Sequence, residues 1–272
     1  MIVDLHTHTA FSHDSEADID AMCRSAIERG VSVIAFTDHF DVWETHEKKG
    51  STYDGPAARK AILAAKKRYR SALSVLYGIE LGEAVEFAEE ARALLAENPF
   101  EFVIGSLHAL PYDQDLFYTW GLRERTVFEM QSEFSIYLDA LADIAAHPAI
   151  HTLAHLTYPL RYAANKGMLF DITPYYPKID RVLQILIRRQ IALEVNTSGL
   201  RQTIGVTLPT SDILKRYYDL GGRLITVGSD AHRPEDVGAG IRETARELRN
   251  LGFTDVMYAS GTQRHFLPRS SF

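Results

Sequence analysis

Apolar positions along the chain fall into two alternating kinds of segment. Short runs rich in Val, Ile, Leu and Phe occupy residues 2–5, 31–37, 73–77, 100–106, 151–155, 191–196 and 223–228. Their length and β-branched content predict buried strands. Between them lie segments with the 3.6-residue period of amphipathic helices: 15–29, 56–71, 84–97, 124–146, 176–189, 211–220 and 235–251. Gly30 and Gly221-Gly222 supply helix stops, and Pro56 suits a first helical turn. Residues 40–55 and 111–121 read as loops, 156–176 as a long irregular stretch, and the end of the chain as a short strand-like tail. Seven successive β-then-α units predict parallel strands joined by helical crossovers, in a single domain over residues 1–272.

Polar residues decide between an open sheet and a barrel. His6 and His8, His39, Glu80, His108, His155 and Asp230 all fall where a predicted strand ends. The C-terminal strand ends of a closed barrel ring one mouth, where such folds build their active sites. In an open sheet the same ends would spread along an edge and could not share a site. The expected fold is therefore α/β, a seven-stranded barrel of the (β/α) type.

Composition narrows the partners. Of 272 residues, 46% are apolar and 24% charged, an ordinary globular balance, and the formal net charge is −7. That sign argues against nucleic acid and anionic membranes as partners. No run of about 18 apolar residues would span a bilayer, and no signal peptide precedes the first strand. The one cysteine, Cys23, has no internal disulfide partner and reads as a small buried apolar residue. The cytoplasm is the expected location.

Each candidate site residue has a plain structural alternative. In Asp4-Leu5-His6-Thr7-His8, residues i and i+2 of a strand share a face, so His6 and His8 aim two imidazoles into one space. They could equally be two hydrogen-bonded core histidines. Asp14 could be a helix cap, with His13 a rival ligand beside it. Thr37-Asp38-His39 could be a turn, and His108 or His155 a wall residue. Ser229-Asp230-Ala231-His232 repeats the i, i+2 geometry with one carboxylate. These alternatives are independent of one another, whereas the placement at strand ends is shared. Six histidines and three carboxylates, with no thiolate, exceed what one ion takes and suit two or three Zn, Mn or Fe ions rather than Mg or Ca.

The set His6-Thr7-His8, Asp14, Thr37-Asp38-His39, Gly78-Ile79-Glu80, His108, Ala154-His155 and Ser229-Asp230-Ala231-His232 resembles the polymerase-and-histidinol-phosphatase (PHP) superfamily, from residue 2 to about 240. The resemblance implies a distorted seven-stranded TIM-like barrel and three divalent transition-metal ions (Zn, Fe and/or Mn). It implies one metal on His6, His8, Glu80 and Asp230, a second on Glu80, His108 and His155, and a third on Asp14, His39 and His232. One departure is visible: the family often reads Gly-His-x-Asp where this chain reads Ala154-His155-Leu156-Thr157, so the ligand is present but its supporting Asp is not. Length, Asn196-Thr197-Ser198-Gly199-Leu200-Arg201, and Arg161 six residues after His155 resemble the monofunctional histidinol-phosphate phosphatases, in which arginines after these strands grip phosphate. Surface positions for Arg161 and Arg201 are the alternative.

The resemblance thus implies hydrolysis of L-histidinol phosphate, a step of histidine biosynthesis. A hydroxide bridging the two metals that share Glu80 would attack phosphorus, Arg161 and Arg201 would neutralise the phosphoryl group, and Asp230 or His232 would assist proton transfer. Three rival readings stay open. Another small phosphate ester, such as a phosphotyrosine or nucleotide, could stack on the aromatic loop from Tyr112 to Trp120. A C–N or lactone hydrolase also opens with His-x-His, but often uses a lysine between its metals, and none lies near a candidate strand end. A non-catalytic PHP module, as occurs inside larger replication proteins, is the third.

Overall fold

The computed structural model describes residues 2–44, 49–110, 114–168 and 170–268. Its centre is a parallel sheet of seven strands in chain order: β1 Ile2–Thr7, β2 Val31–Phe36, β3 Ser74–Gly82, β4 Phe102–Ser106, β5 Thr152–Leu153, β6 Ala192–Asn196 and β7 Ile225–Gly228. Just beyond β7 the backbone returns to β1: the Asp230 N–H donates to the His6 carbonyl at 2.8 Å, and the His8 N–H to the Ala231 carbonyl at 2.8 Å. These bonds bring the last strand back to the first, and the sheet is a nearly closed barrel. A two-residue extension of β2, His39–Phe40, pairs with Glu80 and Leu81 of β3 and carries that wall further toward the mouth.

Strands covered on both faces have no polar side to show, so all six residues of β1 and all but the first of β3 are buried. Around the barrel lie α1 Ile19–Glu28, α2 Gly55–Tyr69, α3 Ala88–Glu97, α4 Val127–Ala145, α5 Leu160–Asn165, α6 Tyr176–Arg189, α7 Ser211–Asp219 and α8 Ile241–Leu251. Each start has a local cause where one is visible. Asp18 and Asp54 accept N–H bonds at the heads of α1 and α2. Thr126 and Glu129 form a capping box on α4, which places its start at 127 rather than 124. Cys23 is buried in α1, packed as a small apolar residue.

Three segments differ from the sequence-based expectation. The stretch 156–176 is not irregular throughout: it contains α5 and a short turn at Thr173–Tyr175. The loop after β4 holds a π-helical turn, Phe117–Leu122, in which Trp120 is fully buried and its indole N–H donates to Glu133 at 2.6 Å. The expected stacking role of that loop therefore loses Trp120, and its Tyr112 lies outside the described residues. The tail is an antiparallel hairpin, β8 Asp255–Ser260 with β9 Gln263–Pro268. His151 ties it to the barrel, accepting from the Val103 N–H at 2.9 Å and donating to the Gly261 carbonyl at 3.0 Å.

Candidate metal centre

At the C-terminal end of β1, strand alternation turns His6 and His8 inward, with ring centroids 5.1 Å apart. Glu80, on β3, is their meeting point. Its Oε2 lies 3.1 Å from His6 Nε2, 3.5 Å from His8 Nε2 and 3.0 Å from His39 Nδ1. Its Oε1 lies 2.9 Å from His155 Nε2 and 3.2 Å from His108 Nε2. Asp230 Oδ1 stands 3.4 Å from His8 Nε2 and 3.8 Å from His6 Nε2. Asp14 reaches His232 Nε2 at 3.0 Å and His39 Nε2 at 3.6 Å. All nine positions expected from the sequence thus face one small volume. Four triplets, His6/His8/Asp230, His6/Glu80/His155, His39/Glu80/His108 and His8/His39/His232, each hold ligand atoms within 4.8 Å of one another. The rival His13 presents an exposed side chain, its ring 5.1 Å from that of His39.

The far ring nitrogens explain how the near ones are aimed. His108 Nδ1–H points at Asp41 Oδ1, 3.1 Å away. His232 Nδ1–H donates to the Asp230 carbonyl at 3.0 Å. The Ser12 hydroxyl gives its proton to Asp38 at 2.9 Å, so it accepts from His8 Nδ1–H at 3.0 Å and from the His39 N–H at 3.1 Å. His6 Nδ1–H donates to Glu194 at 2.6 Å. In the neutral form of each of these four rings Nε2 is the lone pair and is turned inward, the arrangement a metal-binding imidazole takes. His39 and His155 are the exceptions: the Nδ1 of each is buried without a hydrogen-bond partner, and that of His39 faces Glu80.

The donor set fits cations. His6 Nε2, His8 Nε2, His39 Nδ1, His232 Nε2 and Glu80 Oε2 are buried with no hydrogen-bond partner, a costly state for polar atoms unless a charge lies between them. The Nε2 atoms of His108 and His155 face each other at 3.4 Å. Burial works against every charge here. Even so, the rings of His6, His108 and His39 hold Glu80 well below the usual carboxylate range. Despite burial, Glu80 with Glu194 and Asp230 raises His6 well above its ordinary value. Burial, then the charges of His232 and His39, push His8 down to about 3.

Two candidate ligands sit in left-handed backbone, His155 at φ 22° and Asp230 at φ 55°. Such residues cost about 1–3 kcal/mol each and persist where the surroundings fix them. Asp4, fully buried in β1, fixes the second. It accepts from the Ser229 N–H at 2.8 Å, the Ser229 hydroxyl at 2.5 Å and the Gly238 N–H at 2.7 Å. Glu83, also left-handed at φ 48°, accepts from the His108 and Ala109 N–H groups at 2.6 and 3.0 Å. Its carboxyl is pushed up to about 7 by burial and then by the charge of Asp41. Sequence reading missed Asp4, Ser12, Asp41, Glu83 and Glu194 as members of the site. Only Asp4 carried a signal, as a carboxylate inside an apolar strand.

The two arginines stand at the edge of this cluster. The Arg161 guanidinium lies over the rings of Tyr158 and Tyr162, 4.0 and 4.8 Å from their centroids, and donates to the Tyr162 hydroxyl at 2.8 Å. The Tyr158 ring is in turn 4.9 Å from His155 and 5.3 Å from His108. Arg201 donates to the Ser229 carbonyl at 2.9 Å, beside Asp230, and its Nε lies 3.2 Å from Asp236. Arg161 is half-buried, whereas Arg201 is exposed but tethered by these two contacts.

Comparison with known proteins agrees with this geometry. The PHP domain family model matches residues 4–198. A probable histidinol-phosphatase of Clostridium acetobutylicum is 30% identical, over 95% of this chain and 97% of that one. One from Thermotoga maritima is 30% identical over 93% of each chain. The crystal structure of histidinol phosphate phosphatase from Lactococcus lactis, complexed with Zn, L-histidinol and phosphate, superposes with a TM-score of 0.82 at 25% identity, covering 97% of this chain and 98% of that one. Among the described residues, no helix is long and apolar enough to cross a membrane.

Proposed function

The chain belongs to the PHP family, and from that premise we propose that it is a metal-dependent histidinol-phosphatase, a single catalytic domain releasing phosphate from L-histidinol phosphate. The observation that carries the reading is the convergence of buried, unpartnered imidazole and carboxylate atoms around Glu80. The ligand sets we assign are His6, His8, Glu80 and Asp230 for one ion, Glu80, His108 and His155 for a second, and Asp14, His39 and His232 for a third. Zinc is supported by the Lactococcus lactis complex; iron and manganese suit the same nitrogen and oxygen donors. When bound, such ions supply Lewis acidity toward the phosphoryl oxygens and an attacking water.

The chain's own residues do the rest. Arg161 is held over two tyrosine rings set edge to face, and by the Tyr162 hydroxyl, so its guanidinium is oriented before substrate arrives and loses little freedom on gripping phosphate. Arg201, fixed by Asp236 and the Ser229 carbonyl, meets the phosphoryl group beside Asp230 and neutralises charge there. Asp230 and His232, at the side of the cluster nearer solvent, assist proton transfer to the leaving alcohol, the proton coming from water. No serine or cysteine nucleophile is required, so transfer goes directly to water.

The test is phosphate release from a panel of esters (histidinol phosphate, phosphotyrosine, nucleoside monophosphates) with metal quantified on the same sample. Histidinol phosphate should lead by kcat/KM. A leading nucleotide or phosphotyrosine would overturn the substrate and favour the broader reading that a probable phosphatase of Aliivibrio fischeri, 26% identical over 87% of this chain, also fits. No ester hydrolysed by metal-loaded protein would overturn the phosphatase reading altogether.

A further inference from the structure

Strand β6 supplies none of the nine assigned ligands, yet it touches three of them. Glu194, 1% exposed at its centre, turns its carboxylate into the barrel. Oε1 lies 2.6 Å from His6 Nδ1. Oε2 accepts from the His155 N–H at 2.9 Å. The Asn196 amide, two residues on, donates to Glu194 Oε2 and to Asp230 Oδ2, each at 3.3 Å. Space for this arrangement is kept by Gly228 on the neighbouring strand. A Cβ there would lie 2.3 Å from His6 Cβ and 2.9 Å from Glu194 Oε1.

We infer that Glu194 is the positioning residue of the metal centre: one carboxylate fixes the tautomer of His6 through its ring and the strained turn of His155 through its backbone. A buried carboxylate is expensive, and an apolar residue would serve the core better. Two features match a carboxylate and little else. It is acceptor-only, so it forces Nδ1–H on His6 and leaves Nε2 as a lone pair toward Glu80. It also has two oxygens, so it serves two strands at once. His155 gains most from this, because its outer ring nitrogen, Nδ1, is buried without a hydrogen-bond partner.

The inference rests on the metal-centre reading above, and its test reads zinc binding rather than phosphate release. Glu194→Gln has nearly the same shape but offers one acceptor and one NH2. If its oxygen keeps the His155 N–H, the NH2 faces His6 Nδ1 and drives the ring to the other tautomer, with a proton where the ion should bind. Zinc competition against a chelator should then show affinity lower by about 10–100-fold, while circular dichroism of the metal-free protein stays that of the wild type. A purely structural role predicts unchanged zinc affinity, which would overturn the inference. If the variant does not fold, nitrogen-15 histidine NMR of the zinc-loaded wild type decides. His6 protonated at Nδ1, with an exchange-protected proton, supports the inference; protonation at Nε2 overturns it. Wild-type protein that binds no zinc would instead overturn the metal-centre reading itself.

Discussion

His108 and His155 face each other across Glu80 at nearly equal distances, yet they are held in opposite ways. His108 is braced twice, with Asp41 on its ring and Glu83 on its backbone N–H. His155 is braced once, at the backbone by Glu194, with its φ at 22° and its outer ring nitrogen bare. The difference teaches that a ligand can be aimed from its ring or from its main chain. Ring bracing fixes the tautomer and the χ angles. Backbone bracing fixes where the side chain starts and leaves the ring to be ordered by what it binds.

The largest expected effect tests what both walls share. Glu80→Ala removes the carboxylate common to both, with a loss of about a thousandfold or more in kcat, since cations at such sites supply several kcal/mol. Metal analysis should show ions missing, and retained stoichiometry would contradict the role of Glu80. Next come the arginines. Arg161→Ala and Arg201→Ala should each lower kcat/KM by about 10²–10³-fold with metal content unchanged. Wild-type kinetics in either would remove that residue from the phosphate site.

Asp41→Asn tests the contrast itself by loosening the ring of His108. Metal affinity should fall about 10–100-fold, as read by chelator competition. An unchanged affinity would mean that Glu83 alone suffices, making the two walls alike. pH sharpens the same contrast. In the metal-free protein, burial opposes protonation of His39 and His108, but Glu80 and Asp41 outweigh it and raise both, whereas burial lowers His155. Ions bind the unprotonated rings, so uptake must displace protons on the His108 side but not from His155. Zinc affinity should therefore rise with pH through neutrality, with proton release measurable by calorimetry in buffers of different ionisation enthalpy. Affinity that is flat with pH would contradict it. The smallest effect is Tyr162→Phe, which removes one bond to Arg161, about 0.5–1.5 kcal/mol, and should raise KM by less than about tenfold.

How much of this was legible in the sequence follows the same division. His6 and His8 announce themselves, because strand alternation converts i, i+2 spacing into a shared direction; Asp230 and His232 carry the same spacing but lie beyond β7, where the left-handed backbone of Asp230 replaces alternation. Glu80 and His108 follow from where apolar runs end. The barrel was legible because ligands at six strand ends can meet only if the sheet closes. The bracing was not. Asp41 reads as a loop residue and Glu194 as an unremarkable member of Ala192–Asn196. Their partners lie 67 and 188 positions away, a relation that no local pattern carries. Helix α5 was missed because it spans only six residues, 160–165, and opens after Pro159 among tyrosines and leucines, too short for a period to show.

Anomalous diffraction from crystals of the zinc-loaded protein tests the central claim most directly. The account predicts three peaks among His6, His8, Asp14, His39, Glu80, His108, His155, Asp230 and His232, with Glu80 between two of them. Zinc bound elsewhere, with nothing beside Glu80, would contradict it.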